Sequence, residues 1–290
     1  MKKMKRLAAL LLVLAMMLAG CGATPAQSPA QPPDRERPVF EVPPAAPGEM
    51  EFEAPAALRC RVVDGAEDGL LLLACMESSG VYRLNIEGLP VVDAAGQPAA
   101  LENGMVVEVA YSGYIMESFP GQFGDPEGVT VTGEKDDLCS LYLQVLNDLW
   151  EEDSALNEGI TELGVDLKET RLSVAEQWGV AWVFGEQHGL IAMNTTLKQL
   201  EEGGWLTPWG GSGATAEESK QLGSWEDGCF FTIYETPAPD AQCQPVDWAV
   251  NFTAMKWRGP LSAYMFENCT SERNEAGEWQ GYTVGSWAIS

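Results

Sequence analysis

The pattern of apolar and polar side chains divides the chain into four stretches of different character. Residues 7–18 are apolar without a break, whereas residues 21–56 carry scattered apolar side chains with no period. From residue 57, apolar and polar side chains alternate in short runs, as they do in the strands of a half-buried sheet. From residue 135, apolar side chains recur at the spacing of a helix, and strand-like alternation returns towards the end. The pattern predicts a leader, a linker and two folded domains, the whole belonging to the α+β class.

Residues 57–134 predict a small all-β domain. Cys60 and Val62 alternate with arginines, and residues 70–76 form one continuous apolar run. Five short runs of strand-like character follow one another without an amphipathic helix between them. This spacing favours an OB-like barrel, an all-β fold built from a few short strands.

Residues 135–290 predict an α+β domain. A first helix is indicated by apolar residues that share one helical face. They are Leu138, Leu141, Tyr142, Val145 and Leu149. Ser173 and Glu176 have the spacing of a capping box and predict the start of a second helix. Three strand-like runs end the chain, so we expect helices packed on an antiparallel sheet.

The N-terminal stretch has the features of a bacterial export signal. Four basic residues precede the apolar run, which is too short to span a bilayer as a stable helix. The sequence LAGC, ending at Cys21, resembles the lipobox, in which the cysteine thiol is diacylated and the chain is cut just before it. The resemblance implies a signal peptide at residues 1–20 and lipidation of Cys21. An ordinary secretory signal with a chance cysteine is the alternative.

Lipidation of Cys21 would make the cell membrane the first partner of this protein. The acyl chains would hold it on the outer, extracytoplasmic face. Residues 21–56 are rich in Pro and Ala, a composition that keeps a linker extended and partly stiff. We expect this linker to carry the folded part away from the membrane.

Part of the predicted barrel resembles a known family. The run GMVVEVAYSGYIMESFP at residues 104–120, with DAAGQP at residues 93–98, is similar to the YobA-type small lipoproteins of Gram-positive bacteria. The resemblance covers residues 57–134 and implies an OB-like domain, and the family supplies no catalytic residues. Residues 135–290 resemble exported α+β domains of Gram-positive gut bacteria that have no assigned activity.

The net charge and the absence of common catalytic motifs limit the ligands and the reactions that this chain can be expected to handle. The chain carries 43 acidic and 17 basic residues, a formal net charge of −26, and such a surface repels nucleic acid. His188 is the single histidine, and it precedes Gly189 at a predicted helix end, where a cationic ring would be favourable. The phosphate-binding and nucleophile-elbow motifs are absent from the sequence. We expect neither a metal nor another cofactor.

These exclusions favour a non-catalytic module that binds a peptide, a glycan or a protein. Two alternatives stay open. One is a carboxylate-dependent hydrolase that acts on an envelope or external glycan, with Glu117 as its first candidate residue. The other is a structural module that maintains the envelope.

The candidate ligand-binding residues lie at the end of the long predicted strand that precedes residue 112. They are Tyr111, Tyr114, Glu117, Phe119 and Phe123. In OB-like barrels a strand face and its loops bind sugars or bases. The alternative is that the aromatic rings fill the core and that Glu117 fixes the turn before Pro120.

Six cysteines follow Cys21, and two of them, Cys60 and Cys75, fall on neighbouring predicted strands. Their number and spacing do not form a disulfide scaffold or a metal motif. A bridge between Cys60 and Cys75 is one outcome, and buried free thiols are the outcome that we favour.

The lipobox hypothesis predicts the behaviour of a Cys21→Ala variant. Without the thiol there is no atom to acylate, so the variant should be released to the medium or should stay as an uncut precursor. Membrane fractionation and the mass of the mature N-terminus measure this. A variant that is processed normally and bound as firmly as the wild type would contradict the hypothesis.

Overall fold

A computed structural model describes residues 56–208, 223–236 and 247–290. The predicted signal peptide, Cys21 and nearly all of the predicted linker lie outside the described residues. The described part has an α+β structure with two mixed β-sheets and three α-helices.

The first sheet contains eight strands, in the order β4-β8-β5-β1-β2-β3-β7-β6. They are β1 (Ala56–Asp64), β2 (Leu70–Cys75), β3 (Val81–Asn85), β4 (Val91–Asp93), β5 (Met105–Tyr111), β6 (Ile115–Met116), β7 (Gly121–Phe123) and β8 (Pro126–Lys135). Most neighbours are antiparallel, and β3/β7 and β4/β8 are parallel pairs. β4 and β6 form the two edges, so the described strands make an open sheet and show no closed barrel.

Both faces of the first sheet are buried around β2. One face forms a core with Cys60, Leu73 and Val107 among its members. On the opposite face, Leu72 and Ala74 belong to the cluster that also contains the helices. This explains why β2 is apolar almost throughout, since a strand covered on both faces has no side chain for solvent.

The helices follow the first sheet and partly cover it. They are α1 (Leu138–Glu151), α2 (Val174–Gln187) and the short α3 (Leu197–Glu202). The capping box predicted at Ser173 and Glu176 is confirmed, because both of its hydrogen bonds are present. No helix within residues 56–208, 223–236 and 247–290 is both long enough and apolar enough to cross a bilayer.

The second sheet is mixed, so the expectation of an antiparallel sheet is wrong for two of its five strand pairs. Its order is β10-β9-β11-β12-β13-β14. The strands are β9 (Glu162–Asp166), β10 (Ala192–Asn194), β11 (Gly228–Glu235), β12 (Ala249–Gly259), β13 (Ser262–Glu272) and β14 (Ser286–Ile289). β11 to β14 are antiparallel, but β9 is parallel to both of its neighbours. α2 connects β9 to β10, and a helical crossover between two adjacent strands makes them parallel.

A fully buried lysine on β12 caps the C-terminal end of α1. The Lys256 ammonium donates to four backbone oxygens: those of Leu149 (3.3 Å), Trp150 (3.1 Å), Glu152 (2.5 Å) and Asp153 (3.2 Å). Burial lowers the pKa of Lys256, which reflects the cost of removing an ammonium group from water. The carbonyls at a helix end have no partners within the helix, so Lys256 both satisfies them and fixes α1 against the sheet.

Replacing Lys256 with methionine should therefore destabilise the fold. The side-chain stem is kept, but the helix-end carbonyls lose their donor, at a cost of about 3 kcal/mol. Lys198→Met is the matched control, because the Lys198 side chain is 79% exposed and pairs with Glu202 within α3. Its expected effect is below about 0.5 kcal/mol. Urea denaturation of the full chain measures both, and equal midpoints for the two variants would show that Lys256 does not hold α1.

Candidate functional site

The structure separates the five residues that the sequence singled out as candidate ligand contacts. Tyr111 and Phe123 are buried in the core of the first sheet, where their rings meet edge to face with centroids 5.1 Å apart. A ring enclosed in this way presents no face to a ligand. These two residues therefore support the sheet, which was the alternative interpretation of the pattern.

The remaining three candidates divide into one packed ring and two exposed side chains. Phe119 packs against Trp178 and Trp182 of α2, with ring centroids at 5.3 and 5.4 Å. Tyr114 is 54% exposed, and Glu117 is also exposed. Phe119, after β6, thus docks on α2, whereas Tyr114, just before β6, and Glu117, just after it, are exposed to solvent.

The single histidine has a packing role. The His188 ring stacks on Trp150, with centroids 3.8 Å apart, and its Nε2 lies 2.9 Å from Oδ1 of Asn147. Burial lowers the pKa of His188, so the ring is favoured in its neutral form rather than as the cationic helix cap that the sequence suggested. Among the described residues, no group of three or more His, Cys, Asp or Glu side chains could hold a metal ion.

A cavity of about 400 Å³ lies where the end of β8 meets the turn after β13. Its lining residues come from three distant parts of the sequence: Gly133, Lys135, Trp248, Arg273, Asn274, Glu275, Ala276 and Gly277. We call this the junction cavity. It combines an indole, charged side chains and the backbone of a turn, the mixture of apolar surface and placed polar groups that ligand sites use.

The Asp136 carboxylate holds the wall of the junction cavity in place. It accepts hydrogen bonds from the guanidinium of Arg273 at 2.7 Å and from the indole nitrogen of Trp279 at 2.9 Å. The next residue, Asp137, donates its backbone N–H to the Gly277 carbonyl at 3.3 Å. The segment after β8 is therefore bonded to both ends of the turn that lines the cavity.

The turn itself is fixed by Asn274. Its side-chain oxygen accepts from the backbone N–H groups of Ala276 at 3.0 Å and Glu278 at 2.9 Å. Gly277 has φ +83°, and a Cβ there would lie 2.3 Å from the Lys135 carbonyl oxygen. Only glycine fits this close approach without displacing backbone, so the cavity wall is preformed.

The cations of the cavity wall are already paired with carboxylates. The Lys135 ammonium contacts Glu102 at 2.6 Å and Glu278 at 3.1 Å. The hydrogen bond to Glu102 raises the pKa of Lys135. Arg273 pairs with Asp136. Both cations of the cavity wall thus have carboxylate partners.

Trp248 supplies the aromatic surface of the site. Its side chain is 55% exposed, and its carbonyl oxygen accepts from the Arg273 backbone N–H at 2.7 Å. This bond holds the backbone of residue 248 beside the turn, while more than half of the surface of Trp248 stays open. Sequence reasoning did not select Trp248 or Arg273 as site residues.

Comparisons with known proteins found no relative of this chain. No family model, no curated protein and no solved structure matches the chain.

Proposed function

We propose that this protein is a non-catalytic binding module, anchored by lipid on the outer face of the cell membrane, that binds a neutral glycan in the junction cavity. The observation that carries the proposal is an exposed indole that lines the same cavity as two cations, both already paired with carboxylates.

The chemistry of the cavity favours a sugar. An indole face packs against the C–H face of a pyranose ring, and its amphipathic character suits a ligand that is partly apolar and partly wet. The Asn274, Glu275 and Arg273 side chains stand beside Trp248 and supply groups that hydroxyls and amides can bind. An anionic ligand is disfavoured because the net charge of the chain is −26 and because Lys135 and Arg273 already have carboxylate partners.

The location of the protein and the OB-like fold of residues 57–134 are part of the same proposal. The basic head, short apolar run and LAGC sequence support lipidation at Cys21. The first sheet, with its short mostly antiparallel strands, supports an open OB-like arrangement and with it the YobA-type resemblance of residues 57–134. A lipid anchor followed by a Pro-rich linker would place the junction cavity within reach of envelope glycans.

Binding of an N-acetylglucosamine trisaccharide to the full chain in detergent tests this function. Isothermal titration should give saturable binding, and Trp248→Ala should weaken the affinity at least about tenfold, because it removes the stacking surface.

Trp287→Ala is the matched control, since Trp287 is 64% exposed on β14 and lies outside the lining of the cavity. It should bind as the wild type does. If Tyr114→Ala abolishes binding and Trp248→Ala does not, the ligand lies at Tyr114, just before β6, and the junction cavity is not the site.

A further inference from the structure

Cys60 and Cys75 face each other across two neighbouring strands. Cys60 on β1 is the direct partner of Cys75 on β2 in the antiparallel register. The backbone N–H of Met76 donates to the Arg59 carbonyl at 3.0 Å, and the N–H of Cys75 points the other way, to Gly80 on the β3 side. These bonds define Cys60 and Cys75 as a non-hydrogen-bonded pair.

This type of pair brings two side chains as close as a sheet allows. Its Cα atoms are typically about 4.5 Å apart, against about 5.5 Å in the hydrogen-bonded type. A disulfide needs a Cα separation of roughly 4.4–6.8 Å. The two cysteines therefore stand where a bond between their sulfurs requires little movement of the backbone.

Both thiols lie on the same face of the first sheet. Cys60 is 0% exposed, Cys75 is 1% exposed, and both belong to the core that contains Tyr82 and Tyr111. Cys229 and Cys269 are also on strands, but their partners in register are Leu163 and Phe252, which carry no thiol. Within the described strands, only Cys60 and Cys75 form a cysteine pair in register.

We propose that Cys60 and Cys75 are a dithiol site that reacts with a disulfide-bearing oxidant and closes into a disulfide joining β1 to β2. The thiolate of Cys75 attacks one sulfur of the oxidant, forms a mixed disulfide and releases the other half as a thiol. The thiolate of Cys60 then attacks the sulfur of Cys75 and releases the second half. In total, two protein thiols are oxidised to one disulfide, and one oxidant disulfide is reduced to two thiols.

Cys75 is the attacking residue because of its surroundings. It ends β2, and the turn that follows it, residues 76–78, is exposed, so local opening there uncovers its sulfur first. Hydrogen bonding from Cys60, from the Ser78 side chain and from the N–H groups of Glu77 and Ser78 lowers the pKa of Cys75. The same thiol–thiol hydrogen bond raises the pKa of Cys60, which leaves it as the residue that resolves the mixed disulfide.

This site is independent of the glycan proposal and of the lipid anchor. A bridge between adjacent strands would restrict the unfolded chain around the β1–β2 turn. The reduced and oxidised forms would share one fold, since the partners already face each other, and they would differ in resistance to unfolding.

The test is to unfold the full chain under reducing conditions and to refold it with oxidised glutathione. The protein is then alkylated in denaturant and cleaved after glutamate, which places Cys60 on fragment 54–67 and Cys75 on fragment 68–77. We expect mass spectrometry to find the two fragments linked and lighter by two hydrogens. Addition of dithiothreitol to the folded product should lower its melting temperature by roughly 5 °C.

Two variants separate this pair from the other thiols. Cys75→Ser should leave Cys60 alkylated and should abolish the shift with dithiothreitol, whereas Cys139→Ser, which removes a buried thiol on α1, should keep the linked fragments. Recovery of fragments 54–67 and 68–77 separately alkylated after wild-type refolding, or of either one linked to another cysteine, would overturn the proposal.

Discussion

The carboxylate of Asp136 is the contact on which the arrangement of the site depends. Asp136 follows β8 directly, and its carboxylate binds Arg273 at the end of β13 and Trp279 beyond the turn. Its own backbone N–H donates to the Gly104 carbonyl at 2.9 Å, next to the start of β5. One residue thus joins the first sheet to the turn that lines the junction cavity, and because its partners are an ion pair and an indole N–H, it fixes direction as well as distance.

The same junction is supported from the helix side. Arg61 on β1 donates to the Gly104 carbonyl at 2.9 Å and pairs with Glu176 at 2.7 Å. Glu176 also closes the capping box of α2. A chain of contacts therefore runs from the start of α2 through β1 to the segment that holds the cavity. Since both members of the Arg61–Glu176 pair are largely shielded from solvent, this pair is less screened than a surface ion pair.

Local patterns in the sequence predicted most elements, but the long-range arrangement needed the structure. Alternation around Cys60 and Val62 found β1, and the spacing of Ser173 and Glu176 found the start of α2. The open edges of the first sheet and the parallel β9 depend on which strands become neighbours, which alternation does not encode. The cavity was missed for the same reason, because Lys135, Trp248 and Arg273 are distant in sequence and line one cavity only in the folded chain. Tyr111 and Phe123 were selected because they are aromatic, but aromatic residues occur both in buried cores and in ligand-binding surfaces, so residue type alone does not distinguish the two.

A measurement of which tryptophan responds to the ligand tests directly whether the junction cavity is the binding site. Fluorine NMR of the full chain labelled with 5-fluorotryptophan reports the ten indoles separately, and Trp248→Phe and Trp287→Phe variants assign two of the signals. Saturation with the N-acetylglucosamine trisaccharide should shift the signal of Trp248 and leave that of Trp287 in place. Bound trisaccharide with an unchanged Trp248 signal would contradict the claim that the junction cavity is the binding site.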